Sequence, residues 1–416
     1  MEKLALFGGP KVRTRPFEKH NRYGEAELKE LEEALEQGTL FYWQGTKVKR
    51  FQSELAALLG QKYCTATTSG TASIHTALGA IELGIGDEVI TSPVTDIGTV
   101  VGILYQNAIP VFADLDLRTY AMDPASIERC ISERTKAIVV VHLGGNPADM
   151  DAIMEIAGRH NLYVIEDCAQ AWLAQHQGRY VGTMGHIGAF SLNEFKHIST
   201  GDGGAVVTND DDLGVRARAF VDKNYDRIAG TREPASLAPN YRMTELQGAV
   251  AVAQLRKLKD VCRRRTEVGD AITARIETLP GILPPKVTPA GRHVYWHYML
   301  RVDEAALGAG RDTFAKALEA EGIPATAGYI PTCIYEYPIF TEKRAYPNSP
   351  FPFDSAEFGC NVEYHRGLCP QAEEVLASCV VLPCSEFFTA EDIDDIATAF
   401  EKVATTFREH PEPARA

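Results

Sequence analysis

The sequence predicts an α/β fold in which a mainly parallel sheet forms a large domain and a smaller α+β domain follows. Short apolar segments alternate with helical segments from residue 48 to about residue 208, and this spacing is typical of βαβ units. At 416 residues the chain is also long enough for two domains. Because parallel sheets bind ligands at the carboxyl ends of their strands, we expect the functional site at that edge.

The alternating elements follow an irregular N-terminal stretch that contains one amphipathic helix, residues 24–37. Gly60 is a typical C-cap residue and ends the next helix. The predicted strands of the large sheet lie at 63–67, 88–91, 109–113, 137–142, 162–165, 187–192 and 205–208. The predicted helices beside them lie at 48–59, 68–83, 97–107, 124–131, 150–160 and 213–222.

The second half of the chain begins with a polar loop at 223–239 and one long predicted helix at 244–276. A strand at 295–302 and a last helix at 389–407 are expected within the smaller domain. The predicted division is an N-terminal segment (1–15), a large domain (16–260), a small C-terminal domain (261–408) and a tail (409–416). We expect the end of the tail, residues 410–416, to be disordered.

Composition and charge are those of an ordinary soluble protein, with 45% hydrophobic and 24% charged residues. The 42 basic and 56 acidic residues give a net charge of −14, which argues against nucleic acid or an anionic membrane as a partner. The N-terminus does not fit a signal peptide, and no stretch approaches the roughly 18 apolar residues of a membrane span. Nine scattered cysteines form no C-x-x-C pair, so we expect no disulfide framework, no metal site and a cytoplasmic location.

The first chemical motif is Thr68-Ser69-Gly70-Thr71, at the start of a predicted helix. Small residues at a helix start leave backbone N–H groups free, and the helix dipole adds positive potential there. The motif therefore suits a phosphate group. Taken alone, a simple helix N-cap explains the same residues.

Two further motifs follow strands of the predicted sheet. Glu166-Asp167 ends an apolar strand, and a buried carboxylate there needs a cationic partner. A protonated pyridine nitrogen would serve, and Asp167 would keep it charged so that the ring acts as an electron sink. Lys196 lies between a buried strand and a glycine-rich turn, where lost solvation favours the neutral amine that Schiff-base chemistry needs. Taken singly, an acidic helix cap and a surface lysine are the alternatives.

The three motifs together are more specific than any one of them. On these residues the sequence resembles the DegT/DnrJ/EryC1/StrS-type sugar aminotransferases, which are fold-type I pyridoxal-phosphate enzymes and usually homodimers. The resemblance extends from Gly45 to the final helix and is densest at 166–171 and 190–204. It implies a large domain with a seven-stranded sheet, and pyridoxal 5′-phosphate as the cofactor, with pyridoxamine 5′-phosphate as an intermediate.

The resemblance also implies roles for single residues. Lys196 would bind the cofactor covalently, Asp167 would contact its pyridine nitrogen, and Gln170 would lie near its phenolic oxygen. The phosphate would be held by Gly70, Thr71 and Ser191.

The segment 240–245 matches the family stretch that reaches into the neighbouring subunit's site. Asn240 or Arg242 would then contact phosphate or substrate across a homodimer with shared active sites. For Arg242, a surface salt bridge beside Glu245 is the alternative.

Two positions depart from the family pattern, and the milder change is Asp202, where glutamate is common. An aromatic residue often stacks on the cofactor in the family, and Asp96 lies where that residue is expected. A carboxylate cannot stack as a ring does, so the contact of Asp96 with cofactor or substrate is left open.

A sister group of dehydratases has histidine at the lysine position. Here His197 follows the lysine, but Lys196 lies midway between Ser191 and Gly201, which is the aminotransferase register.

The expected activity is therefore transfer of an amino group from L-glutamate or L-glutamine to a keto-sugar or keto-cyclitol, in biosynthesis of amino sugars or aminoglycoside-type compounds. Candidates for contacting the substrate are Tyr42, Trp43, His142, Arg242 and Tyr329. Core packing is an alternative role for the four aromatic residues among them. Two other functions stay open at this point: a sugar dehydratase dependent on pyridoxal or pyridoxamine phosphate, and a catalytically idle regulatory protein that binds the cofactor. The identity of the acceptor and the stereochemistry of amination are not determined by the sequence.

Overall fold

Alternating strands and helices build the large domain, as the sequence predicts. The computed structural model describes residues 3–354 and 362–410. Its strands are β1 (Tyr63–Thr67), β2 (Glu88–Thr91), β3 (Ile109–Phe112), β4 (Thr135–Val141), β5 (Tyr163–Asp167), β6 (Gln175–His176), β7 (Arg179–Tyr180), β8 (Ile187–Ser191), β9 (Gly204–Thr208), β10 (Ile282–Leu283), β11 (Gly291–Arg292), β12 (His297–Val302), β13 (Thr326–Ala327) and β14 (Cys379–Pro383). Its α-helices are α1 (Glu25–Glu36), α2 (Lys47–Leu59), α3 (Gly70–Ala80), α4 (Ile97–Tyr105), α5 (Pro124–Arg129), α6 (Met150–His160), α7 (Asp211–Phe220), α8 (Glu245–Ile276), α9 (Glu304–Leu307), α10 (Arg311–Ala320), α11 (Pro338–Thr341), α12 (Pro370–Ser378) and α13 (Ala390–Glu409).

Seven strands form the large sheet in the order β1-β9-β8-β5-β4-β2-β3. Strands β3, β2, β4, β5 and β8 pair in parallel, whereas β9 pairs antiparallel with both β8 and β1. The predicted mainly parallel, seven-stranded sheet is therefore confirmed. Strands β2, β8 and β9 are buried along their whole length, which explains why the sequence shows continuous apolar runs there instead of alternation.

The carboxyl ends of two strands and the N-terminus of one helix position three of the predicted site residues. Strand β5 runs to Asp167, beyond its predicted end at residue 165, and β8 ends at Ser191. Helix α3 begins at Gly70 because the Ser69 side chain caps it by accepting a hydrogen bond from the Ala72 backbone N–H at 3.0 Å. The two strands end, and α3 begins, at the same edge of the sheet, so Asp167, Ser191 and Gly70 lie close together.

Two smaller sheets complete the strands. A four-stranded antiparallel sheet, β10-β12-β14-β13, forms the centre of the C-terminal part, as expected for an α+β unit. A three-stranded sheet, β11-β6-β7, was not predicted. Its strands have two residues each, which is too short for a period-2 pattern to show in the sequence.

Helix α8 connects the two parts of the molecule. Leu255, Leu258 and Cys262 belong to the core of the large sheet, whereas Val268 and Ile272 belong to the core of the C-terminal part. The predicted domain boundary at residue 260 therefore falls inside a continuous helix, and the division at that residue stays a prediction.

The N-terminal segment packs on the C-terminal part of the chain. Leu4 is buried in the second core, and Arg13 forms ion pairs with Asp392 and Asp395 at 2.8 and 2.6 Å. Of the helices within residues 3–354 and 362–410, none is long and apolar enough to cross a membrane. The predicted disordered tail lies outside the described residues except for His410, which follows the last helix.

The start of α8 is tied to the start of α2 by one buried carboxylate. Glu245 accepts hydrogen bonds from the backbone N–H groups of Lys47 and Val48, at 2.7 and 3.1 Å, and from the Gln37 side chain at 2.8 Å. A Cβ atom at Gly45 would lie 2.2 Å from the Glu245 carboxyl carbon, so only glycine allows this close approach.

We expect Glu245→Ala to lower the free energy of unfolding by about 3 kcal/mol, because it leaves two backbone donors without their charged acceptor. Denaturant titration followed by circular dichroism would measure the change. Glu54→Ala is the matched control, since it removes only a partly exposed ion pair with Arg50, and it is expected to cost less than about 0.5 kcal/mol. Equal effects of the two substitutions would contradict this account.

Candidate active site

A cavity of about 340 Å³ lies at the carboxyl ends of β5 and β8 and at the N-termini of α3 and α4. Seven residues that the sequence predicted as site residues line it: Gly70, Thr71, Asp96, Asp167, Gln170, Ser191 and Lys196. Side chains that the sequence reasoning did not select also line it, among them Thr95, Thr99, Asn193 and Asp202. These seven residues thus meet at the carboxyl ends of the parallel strands, the edge at which the sequence predicts the functional site.

Lys196 lies in the turn between β8 and β9, residues 192–203, which we call the lysine turn. The residue is 8% exposed, and its Nζ lies 4.0 Å from the centre of the Trp296 ring. Burial lowers the pKa of Lys196, while the negative charges of Asp167 and Asp96 act in the opposite direction. Burial prevails, so the neutral amine is more populated than in an exposed lysine.

Asp167 ends β5 and faces the same cavity. Its Oδ2 accepts a hydrogen bond from the Thr99 hydroxyl at 2.8 Å, and its Oδ1 accepts one from the Ala169 backbone N–H at 3.0 Å. Burial raises the pKa of Asp167 despite these hydrogen bonds. A cation in the cavity would relieve this cost, because opposite charge favours the ionised carboxylate.

The start of α3 forms a cradle for an anion. Among the described residues, the backbone N–H groups of Gly70 and Thr71 have no hydrogen-bond acceptor, and they lie at the positive end of the helix dipole. A Cβ atom at Gly70 would lie 2.7 Å from Cβ of Ser191, so the two walls of the cradle approach closely only because residue 70 is glycine. The Ser191 Oγ accepts a hydrogen bond from the Asn193 backbone N–H at 3.2 Å and keeps its own proton for another acceptor.

Gln170 and Tyr329 form one wall together. Gln170 accepts a hydrogen bond from the Gly144 backbone N–H at 2.7 Å, and its Nε2 donates to the Tyr329 hydroxyl at 2.9 Å. Tyr329 therefore adjoins the cavity through Gln170. Burial is the main cause that raises the pKa of Tyr329, and the charge of Asp96 adds to it.

Asp96 combines two roles in the structure. It is the N-cap of α4, where its Oδ1 accepts a hydrogen bond from the Gly98 backbone N–H at 2.8 Å, and it also lines the cavity. It thus places a carboxylate on this face of the cavity. Contact of Asp96 with a cofactor stays a prediction.

His142 does not reach the cavity. It is fully buried behind β5, where its Nδ1 accepts a hydrogen bond from the Ala148 backbone N–H at 3.0 Å and its Nε2 donates to Glu166 at 3.0 Å. Both ring nitrogens are therefore occupied, and a substrate contact does not fit this position. His142 instead supports Glu166, the neighbour of the site carboxylate Asp167.

Glu166 is fully buried on the side of β5 opposite to Asp167. Its carboxylate accepts hydrogen bonds from the backbone N–H groups of Gly182, Met184 and Gly185, at 2.8, 2.7 and 2.6 Å, in addition to His142. Burial alone would raise the pKa of Glu166, but these hydrogen bonds outweigh it and lower the pKa.

Glu166 and two neighbouring side chains come within metal-binding distance of one another. In the part of the chain that the structure describes, the possible ligand atoms of His142, Glu166 and Cys168 lie within 4.8 Å of one another. The two nitrogens of His142 are engaged by Ala148 and Glu166, so the imidazole has no lone pair left for a metal ion. We therefore regard the group as a hydrogen-bonded support.

The eight described cysteines are free thiols, and Cys360 lies outside the described residues.

The remaining predicted residues lie together, away from the cavity of their own chain. Asp222 accepts hydrogen bonds from the Tyr42 hydroxyl at 2.7 Å and from Arg242 at 2.7 Å, and Arg227 donates to it at 2.6 Å. The partner of Arg242 is thus Asp222 and not Glu245. Asn240 is exposed in the same segment, and Trp43 is half-buried beside Tyr42.

Trp296 is a further site residue that sequence reasoning missed. Its ring packs against the Lys196 amine, and its Nε1 donates a hydrogen bond to the Phe195 carbonyl at 2.7 Å. The sequence offered one signal, an aromatic residue near the start of a predicted strand in the C-terminal part. Nothing in the local pattern indicated that this strand begins beside the lysine turn.

A desolvated lysine, a facing carboxylate and an anion cradle at one sheet edge define an enzyme that uses an amine together with a phosphate-bearing group. The chain belongs to the DegT/DnrJ/EryC1/StrS aminotransferase family, whose model matches residues 21–401. The family and fold that the sequence indicated are therefore confirmed.

Individual relatives match along most of their length. The spore coat polysaccharide biosynthesis protein SpsC of Bacillus subtilis is 36% identical over 389 residues, which cover 91% of this chain and 95% of SpsC. The L-glutamine:scyllo-inosose aminotransferase of Streptomyces griseus is 34% identical over 426 residues, covering 98% of each chain. A crystal structure of DesI in the presence of its TDP-sugar product is similar with a TM-score of 0.82, at 29% identity and 99% coverage of both chains.

The lowered pKa of Lys196 leads to a prediction about the cofactor-free protein. We expect Lys196 to react with trinitrobenzenesulfonate at a lower pH than Lys62, because burial lowers the pKa of Lys196 whereas the hydrogen bond to Asp211 raises the pKa of Lys62. Peptide mass spectrometry of samples modified across a pH series gives the midpoint for each lysine.

Asp167→Asn is the matched variant for this measurement. The negative charge of Asp167 favours the protonated amine, so its removal should move the Lys196 midpoint to still lower pH and leave Lys62 unchanged. A Lys196 midpoint at or above that of Lys62 would show that the amine is solvated.

Proposed function

We propose that this enzyme transfers an amino group from L-glutamate or L-glutamine to a keto-sugar or keto-cyclitol, with pyridoxal 5′-phosphate as its cofactor. The observation that carries the proposal is the single cavity in which Lys196, Asp167 and the N-terminus of α3 meet. Membership of the aminotransferase family agrees with it. The relatives add the substrate class, since one is named for L-glutamine and scyllo-inosose and another was solved with a TDP-sugar product.

The residues present fit pyridoxal 5′-phosphate. The unpartnered N–H groups of Gly70 and Thr71 and the Ser191 hydroxyl suit its phosphate, and the buried Asp167 suits its ring nitrogen. The bound cofactor supplies an electron sink for the bonds of a substrate amine. Asp167 holds positive charge at the ring nitrogen, and by doing so keeps that sink effective.

Lys196 is the group that moves the proton. Its Nζ is desolvated, so it has a neutral form able to accept a proton from the α-carbon of the amino donor. The same amine, once protonated, can return a proton when the amino group is passed to the acceptor. Trp296 covers the amine on one face and excludes water from it.

The polar lining of the cavity supports a hydroxyl-rich acceptor without strong charge. Hydroxyl groups of Thr71, Thr95 and Ser191 line the cavity. The carboxylates of Asp96, Asp167 and Asp202 outnumber the lysine, so an acceptor with additional negative charge would be disfavoured unless a second subunit brought cations to the cavity. These features suit a keto-cyclitol or a keto-sugar that binds through hydrogen bonds.

The proposal includes a homodimer with shared active sites. Phe195 at the cavity is 74% exposed and Leu237 is 98% exposed, so a second subunit that covered them would remove apolar surface from water. Leu237 lies in the same irregular segment as Asn240 and Arg242. In the dimer we propose, this segment covers the neighbouring cavity and supplies Asn240 or Arg242 to its phosphate or substrate.

The first test is the visible absorption spectrum of the protein loaded with pyridoxal 5′-phosphate. We expect addition of L-glutamate or L-glutamine to remove the visible cofactor band, because the amino group is then transferred to the cofactor. In Lys196→Ala the proton cannot be moved by Nζ, so the change should slow by at least about 1,000-fold and steady-state turnover should be lost.

Lys62→Ala is the matched control for Lys196→Ala, since it removes an exposed lysine far from the cavity. It should behave as the wild-type protein. A cofactor band that ignores both donors would contradict the donor part of the proposal and leave a cofactor-binding protein without this turnover. Appreciable steady-state activity of Lys196→Ala would contradict the role of the lysine.

Mixing two inactive variants tests the shared site. If Arg242 acts across the dimer, both substitutions of a mixed Lys196→Ala/Arg242→Ala dimer fall in one site, and the other site keeps both residues. Random reassembly of equal amounts should then restore about a quarter of the wild-type sites. Activity assays after refolding or prolonged mixing would measure the recovery. No recovery, with mixed dimers verified by native mass spectrometry, would mean that Arg242 serves the site of its own chain.

A further inference from the structure

The lysine turn is held by side chains from distant parts of the chain. Four consecutive backbone carbonyls, residues 194–197, accept hydrogen bonds from side chains. Arg22 donates to the carbonyls of Glu194 and Lys196, at 3.0 and 2.5 Å, and also to that of His197. Trp296 donates to the remaining carbonyl, that of Phe195. One guanidinium from the N-terminal region therefore serves three carbonyls around Lys196.

Arg22 is itself fixed at both ends. Its backbone carbonyl accepts hydrogen bonds from the Gln254 and Lys257 side chains of α8, at 3.1 and 3.0 Å. Its guanidinium lies 3.8 Å from the Glu386 carboxylate, with the side chain 19% exposed. The head group is thus held between α8, the C-terminal part of the chain and the lysine turn.

The partners of Arg22 also fix the position of Trp296. Glu386 binds Arg265 at 2.8 Å, and Arg265 donates to the backbone carbonyl of Trp296 at 3.2 Å. The Trp296 backbone N–H donates to the Gly144 carbonyl at 2.7 Å. Arg22 and Trp296 therefore contact the lysine turn from within one connected set of hydrogen bonds.

We propose that Arg22 is a positioning residue for Lys196. This inference rests on the proposed function, in which the Lys196 amine moves the proton. The three carbonyls bound by Arg22 set the orientation of the peptide planes on both sides of Lys196, and these planes set the direction of its side chain. Without the guanidinium the peptide planes are free to rotate, and the amine leaves its place between Asp167 and the Trp296 ring.

Arg22→Ala tests the proposal in the full-length enzyme loaded with pyridoxal 5′-phosphate. We expect the rate of the donor reaction at saturation to fall about 10- to 100-fold, which is the effect of misplacing a catalytic group by about 1 Å. The KM for the donor should change little, because Arg22 does not line the cavity. Guanidinium chloride at concentrations far below those that unfold the protein should restore part of the rate by occupying the vacated position.

A second readout does not depend on the loaded enzyme. In the cofactor-free protein, loosening the lysine turn should expose Lys196 and move its midpoint of trinitrobenzenesulfonate modification to higher pH, because burial is what lowers the pKa of this amine. Arg22→Lys keeps the charge but lacks the planar fork, so it should give an intermediate rate.

Arg256→Ala is the matched control. Arg256 also ties the N-terminal region to α8, through Glu30 at 2.6 Å, but it does not contact the lysine turn. It should keep the wild-type rate and the wild-type Lys196 midpoint. If Arg22→Ala lowers only the melting temperature and leaves both readouts unchanged per folded subunit, Arg22 is structural and the proposal is overturned.

The outcomes also separate this proposal from the proposed function. If the wild-type protein fails to react with either donor, the proposed function is contradicted, and the Lys196 midpoint in Arg22→Ala still decides whether Arg22 positions the lysine. If the wild type reacts and Arg22→Ala reacts equally fast, only the role of Arg22 fails.

Discussion

The structure around the cavity depends on one constraint: the Lys196 amine has to be kept out of water while it faces the Asp167 carboxylate. Burial lowers the pKa of the lysine and raises the pKa of the aspartate, so it weakens the charge of both groups. The two groups can face each other because β5 and β8 are paired in parallel, with Asp167 opposite Ala189. Their carboxyl ends meet at one edge, and the lysine turn begins three residues after Ala189.

The alternation of side chains along β5 separates support from chemistry. Consecutive residues of a strand point to opposite faces, so Glu166 and Asp167 face different surroundings although they are neighbours. Glu166 has four hydrogen-bond donors that satisfy its buried charge, whereas Asp167 has two and stays open to the cavity. The fully satisfied carboxylate fixes the strand end, and this allows the incompletely satisfied one to serve as a binding group.

The sequence predicted those parts of the site that depend on strand and helix ends. Two strands with strong apolar patterns end at Asp167 and Ser191, and a predicted helix begins near Gly70. That these three residues meet at one edge could therefore be inferred from the fold class. Arg22 and Trp296 reach Lys196 across 174 and about 100 residues of chain, and no local pattern marks such contacts. The two-residue strands were missed for a similar reason, because pairing and not periodicity defines them. His142 was a pocket candidate because an aromatic side chain suits a sugar-like substrate, but its neighbours in space decide its role.

The distribution of charge explains why the anion cradle is built from backbone groups. Arg227 and Arg242, two cationic side chains of the irregular segment before α8, are both bound to Asp222. Inside the cavity Lys196 is opposed by Asp96, Asp167 and Asp202. The groups that the cavity's own chain offers to a phosphate are peptide N–H groups, the Ser191 hydroxyl and the dipole of α3, which carry no formal charge and do not neutralise the carboxylates. That arrangement leaves the charge of Asp167 available to the ring nitrogen of the cofactor, and it requires glycine at residue 70, where any side chain would collide with Ser191.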